Sequence, residues 1–189
     1  NVAMLITGDF LKTATTKYTA EYQDNYQEKY RLWSSALKVI LCLNIIVFSI
    51  FFFFSNQIAS YFLHTEEYSY VLRVFSVSLP FFILNSFLLA VLNGQKEIKS
   101  YILLNITLSI VSLILVCLLS YNFGLQGALI AYVTNQSIVF FITIAAIKKK
   151  SWFKVDYFFH KSELVQYKKL FGFALITFAS IMASNGSTI

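Results

Sequence analysis

Asp9, Lys12, Lys17, Arg73 and Asn85 are the polar side chains of this 189-residue chain best placed for chemistry. Asp9 and Lys12 lie inside apolar sequence and are three residues apart, close enough to pair on a helix. Charge in such surroundings is expensive and tends to be kept for substrate or ion pathways. Two readings fit the pair. Either it neutralises itself, with Lys12 snorkelling toward headgroups, or it faces a polar cavity, with Lys12 contacting an anion. In the second reading Asp9 balances charge or couples to an ion, H+ or Na+. Arg73 either anchors at headgroups or binds an anion. Asn85 is a candidate contact beside its plainer role as a packing hydrogen bond. His64 is a lone histidine in a connecting loop and carries no relay.

Other chemistry finds no machinery. Cys42 and Cys117 each sit in an apolar run and behave as small hydrophobes. No metal-ligand spacing, Gly-rich phosphate loop or nucleophile elbow occurs. The reading is not an enzyme, with no cofactor and no metal.

The elements that position these residues follow from composition. Apolar residues make up 58% of the chain and charged residues 13%. A soluble domain of this size has no way to bury so much apolar side chain, so the class is all-α integral membrane. A helix crossing the hydrocarbon needs ~20 apolar residues. Six candidates emerge: 2–16, 37–54, 71–92, 102–119, 125–147 and 170 to the end. The chain starts and stops inside apolar segments, which suggests an internal piece of a longer protein.

Charge orients the bundle. Lys12, Lys17, Lys29, Arg31 and Lys38 flank the first connection, Lys96 and Lys99 the third, and seven lysines between Lys148 and Lys169 the fifth. The second and fourth connections hold only Arg73. Fourteen of the fifteen basic residues therefore fall on one side, which the positive-inside rule makes cytoplasmic. The net charge of +6 is thus a matter of topology, not of nucleic acid.

On a wheel of ~100° per residue, Asp9, Lys12, Thr13 and Thr16 share one face of the first helix, and Leu11, Ala14 and Tyr18 the other. The segment 21–33 suits a short cytoplasmic turn or helix, and 56–70 an interfacial segment on the outer surface. Pro80 kinks the third candidate helix. Asn105, Ser109 and Ser112 form one packing stripe, and Gly124, Ala128, Ala131 and Asn135 another. The linker 148–169 interleaves Trp152, Phe153, Tyr157, Phe158 and Phe159 with lysines, as expected of a segment lying on anionic lipid.

The run Thr13-Ala-Thr-Thr-Lys-Tyr-Thr-Ala-Glu-Tyr22, followed by Asp24-Asn25, closes an apolar helix. Val71-Leu-Arg-Val74 enters a proline-bearing helix, Leu92-Asn-Gly-Gln-Lys96 leaves it, and Gly124-Leu-Gln-Gly-Ala-Leu129 opens another. In this order and spacing they resemble the Wzx-type polysaccharide flippases, the O-antigen and lipid-linked oligosaccharide translocases of bacterial inner membranes. The resemblance spans nearly the whole chain.

That resemblance implies part of a MATE-like, two-lobed exporter with alternating access. Residues 1–147 would belong to the N-terminal lobe, 148–169 to a basic cytoplasmic linker, and 170–189 to the start of the C-terminal lobe. The cargo would be an undecaprenyl-pyrophosphate-linked oligosaccharide of a lipopolysaccharide-type pathway. Partners would include a polysaccharide polymerase and a chain-length regulator. Lys17 and Arg73 fall within the shared motifs, whereas Asp9 and Lys12 do not. A drug or cation antiporter of the same superfold is the first alternative, and it would need acidic cavity residues, of which only Asp9 qualifies. A non-transporting scaffold that docks the polymerase is the second.

Overall fold

The computed structural model describes residues 10–63, 69–159, 165–173 and 175–176. Five helices follow in order: α1 (Phe10–Glu21), α2 (Tyr26–Phe53), α3 (Ser55–Leu63), α4 (Ser69–Gly94) and α5 (Ile98–Ile147). A 3-10 turn at Val155–Phe159 comes next, and residues 165–173 are helical again. The described residues contain no strand, so the fold is all-α. Helices α2, α4 and α5 are each long and apolar enough to cross a membrane.

Helix α5 is two helices end to end. Its 50 residues are interrupted at Gly124, whose φ of 58° and ψ of −140° are non-helical and suited to glycine. The arms 98–123 and 125–147 then fold back on each other. Asn135 Nδ2 donates to Ser112 Oγ across them at 2.6 Å, and these residues stand eleven and twelve positions from the break, respectively. Gly127 lies where a Cβ would collide with the Leu119 carbonyl, so the turn closes tightly. The expected loop between 119 and 125 therefore contracts to one residue. Asn122 does not break the first arm, because its side chain donates back to the Leu118 carbonyl.

Helix α2 also starts earlier than the apolar pattern suggests. Asn25 caps it, its Oδ1 accepting from the Glu28 backbone N–H at 3.3 Å. The segment expected as a turn or short helix is thus the polar first third of a membrane helix. Helix α4 passes through Pro80 as one element and is the most enclosed of the three long helices.

The chain divides into two compact units. The first comprises Asn1–Ile40, Ser86–Tyr101 and Ile147–Ile189. Its core is aromatic and centred on Trp33, which is fully buried. Phe158 stacks on Trp33 at 5.3 Å, Trp152 meets it edge-on at 5.9 Å, and Tyr30 tilts against it at 5.6 Å. Tyr157 stacks on Tyr30 at 3.8 Å. The linker aromatics expected on lipid are in large part turned inward. Trp33 and Tyr30 offer them ring faces, and only Phe159 remains strongly exposed.

The second unit comprises Leu41–Asn85 and Ile102–Ala146. Leu79, Ile83, Ala131 and Val139 are buried in it. Phe51 meets Phe75 at 5.6 Å, and Phe81 meets Phe140 at the same separation. Large apolar side chains such as Ile45, Leu103, Leu113 and Leu118 stay exposed along α2 and α5. In a bilayer that exposure is solvation by lipid, not an unburied core.

Candidate functional site: a cationic cleft on the first helix

Helix α1 has two unlike faces. Leu11, Ala14, Thr15 and Thr19 are fully buried, within an arc of ~140° at ~100° per residue. Lys12, Thr13, Thr16 and Lys17 occupy the opposite arc. These four residues, joined by Asn93 from the end of α4, line an open cleft of about 430 Å³.

The buried face explains why α1 sits where it does. Trp33 Nε1 donates to Thr19 Oγ1 at 2.9 Å inside the core. Thr16 Oγ1 donates to the Ala90 carbonyl at 3.2 Å. Ala90 and Gly94 are small residues four apart on α4, a spacing that lets two helix backbones approach closely. The consequence is that Asn93, between them, is carried to the rim beside Thr16.

The cleft combines two ammonium groups with hydroxyls and an amide. Lys17 Nζ lies 4.3 Å above the Phe173 ring and 5.1 Å from Tyr18, positioned by cation–π attraction. Lys12 is half-buried and forms no ion pair with any described residue. Its expected partner, Asp9, lies outside the described residues. Such a set suits an anion such as a phosphate, with hydroxyl and amide groups left for neutral polar parts of a ligand.

The other two candidates stand elsewhere. Arg73 belongs to the second unit, where Nε donates to Ser55 Oγ at 3.0 Å and Nη2 to Asn56 Oδ1 at 3.1 Å. It clasps the start of α3 to α4. Asn85 is also in the second unit, is 5% exposed, and its Oδ1 has no hydrogen-bond partner. Lys12 and Lys17 are therefore brought together, and neither Arg73 nor Asn85 lines their cleft. Asn93 is the lining residue that charge reasoning passed over. Its signal was its place in the Leu92–Lys96 run.

A second polar cluster closes the first unit. Glu97, in the turn between α4 and α5, accepts from Lys150 Nζ, from Trp152 Nε1 at 2.6 Å and from Ser100 Oγ at 3.1 Å. Burial pushes its carboxyl up, but these three donors outweigh that effect and hold it below its ordinary value. Lys96, just before it, takes a φ of 60° as α4 ends. The segment after α5 is thereby fastened to the turn that follows the Asn93-bearing end of α4.

The family model described as polysaccharide biosynthesis protein matches residues 2–188. No curated protein and no solved structure matches the chain. The apolar helices agree with a multi-pass membrane protein. Matched over all but its terminal residues, the chain belongs to the polysaccharide biosynthesis protein family, that of the Wzx-type flippases.

Proposed function

We propose that this chain is part of a flippase that moves an undecaprenyl-pyrophosphate-linked oligosaccharide across the bacterial inner membrane, from the cytoplasmic to the periplasmic leaflet. The observation that carries the reading is the pairing of Lys12 and Lys17 with Thr13, Thr16 and Asn93 in one cleft, within a chain of this family. The diphosphate is the anionic part of such a cargo, and two ammonium groups are a fitting counter-charge. Hydroxyl and amide groups beside them suit the first sugars. Fourteen of fifteen basic residues on one side of the topology assign the cleft to the cytoplasmic side, where the cargo is loaded.

In this reading Lys12 and Lys17 receive the diphosphate, and Asp9 balances charge or couples to an ion. Arg73 has N–H donors beyond those given to Ser55 and Asn56, and it serves as an outer anion contact. Residues 1–147 form part of the first lobe, 148–169 the connection, and 170–189 the start of the second.

The test is complementation by the full-length protein in a strain lacking its own flippase. Lys12→Ala and Lys17→Ala together should reduce surface polysaccharide at least ~10-fold, a loss equivalent to about 1.4 kcal/mol of binding. Arg73→Ala should reduce it further. Unchanged polysaccharide at normal protein level would remove the cleft from the pathway.

A further inference from the structure

Among the described residues of the second unit, Asn44, Tyr70, Asn85, Asn135 and Thr143 carry buried hydrogen-bonding atoms without a partner. Three of these, Asn44, Asn85 and Thr143, stand one on each of three helices. Asn44 of α2 is 3% exposed, and neither its Oδ1 nor its Nδ2 has a partner. Asn85 of α4 is 5% exposed with Oδ1 unpartnered, and Thr143 of α5 is fully buried with Oγ1 unpartnered. Buried polar groups in proteins are almost always satisfied, by protein or by ordered water. In a membrane-spanning bundle the demand is stronger.

Ring contacts set the register of these helices. Phe51 of α2 meets Phe75 of α4, and Phe81 of α4 meets Phe140 of α5. Asn44 lies seven residues before Phe51, nearly two full turns, and so shares its α4-facing side. Asn85 lies one turn beyond Phe81 on the side that meets α5, turned partly toward the side of Phe75. Thr143 lies three residues beyond Phe140, about 60° round the helix from it and on the adjoining part of the α4-facing side. At about 1.5 Å per residue, all three side chains fall within ~5 Å of one another along the helix axes.

We propose that Asn44, Asn85 and Thr143 surround one internal hydration site, an ordered water joining α2, α4 and the second arm of α5. The set offers both donors and acceptors: the Asn44 amide N–H, two amide oxygens and a hydroxyl that does either. Water matches that mixture. A cation would be met by the Asn44 amide donor and served by oxygens alone. The inference does not depend on the cleft or on the cargo.

Substitution in the full-length protein in lipid nanodiscs gives opposite signs for the alternatives. Where water bridges the three groups, Asn85→Leu and Thr143→Val each lower the melting temperature by roughly 2–4 °C, and Thr143→Ser restores it. The double variant Asn44→Leu/Thr143→Val then loses less than the sum of the singles, because both partners share one water. A melting temperature raised by the apolar replacements overturns the proposal. So does a melting temperature of the unsubstituted protein that climbs with sodium or potassium and stops doing so in Asn85→Leu, which would assign the site to a cation. Should the variants fail to fold, magnetisation transfer from water to the Asn85 side-chain amide of the unsubstituted protein decides. Transfer supports the site, and its absence overturns it.

Discussion

Gly94 and Thr19 stand so close that a Cβ built on the glycine would lie 2.5 Å from the Cβ of the threonine. The same added atom would come within 2.8 Å of the Thr16 carbonyl oxygen. Real side chains do not meet at such separations, so α1 and α4 touch there backbone to side chain. This contact sets the position of Asn93 and Thr16, and through them the shape of the cationic cleft.

Gly94→Ala should therefore displace α1 from α4. Overpacking of this kind costs about 1–3 kcal/mol. The expected outcome is a lowered melting temperature together with reduced surface polysaccharide, although no lysine has been touched. A variant with unchanged stability and full activity would show that α1 can shift without consequence. Complementation and thermal unfolding of the same purified full-length variant read both quantities.

The indole of Trp33 gives a second handle on the same helix. Its N–H donates to Thr19 Oγ1 in a fully buried setting. Trp33→Phe removes the donor and leaves a hydroxyl that can rotate to another acceptor. Thr19→Val removes the acceptor and strands the indole N–H, which is the costlier change at about 1–3 kcal/mol. Thr19→Val should thus lower the melting temperature more than its small change in volume suggests. Combined with Trp33→Phe, which itself costs core packing, it should lose less than the sum of the two single losses.

How much of this was legible beforehand can be judged residue by residue. The apolar runs led to an all-α membrane bundle because lipid exposure leaves hydrophobicity nearly unbroken along α2, α4 and α5. The two faces of α1 were readable at ~100° per residue, since Leu11 and Ala14 are fully buried while Lys12, Thr13 and Thr16 line the cleft. Three features escaped, each decided by a long-range partner. Helix α2 extends back to Tyr26 because Asn25 caps it and Trp33 is needed in the core. Trp152, Tyr157 and Phe158 look like a lipid-facing set until Trp33 and Tyr30 are in place. Arg73 stood open between a headgroup anchor and an anion contact, and only the fold shows Ser55 and Asn56 beside it.

The turn at Gly124 separates two kinds of glycine. A Cβ at Gly124 would meet nothing within 4 Å, so the backbone conformation alone demands the residue. At Gly127 the conformation is ordinary and the space is what is missing. Gly124→Ala should cost about 1–3 kcal/mol through strain at positive φ. Gly127→Ala should act instead by pushing the two arms of α5 apart, weakening the Asn135–Ser112 bond. A cysteine pair at positions 112 and 135 would test this. Cross-linking should persist in Gly124→Ala and fall in Gly127→Ala.

The clamp on Glu97 makes attachment of the segment after α5 depend on pH. Its carboxyl is held below the ordinary value by Lys150, Trp152 and Ser100, against the opposing effect of burial. A carboxyl with a depressed folded-state pKa stabilises most above its unfolded pKa. That contribution fades as pH falls through the folded value, below the usual carboxylate range. Glu97 and Lys150 are partly exposed, so the gain at neutral pH is about 1 kcal/mol or less. The chain has two tryptophans, and Trp33 is fully buried, so iodide quenching reports chiefly on Trp152. Quenching should rise at acid pH in the unsubstituted protein as the indole leaves Glu97. In Glu97→Gln it should already be raised at neutral pH and change little on acidification. A pH response that survived this substitution would place the titrating group elsewhere on the linker.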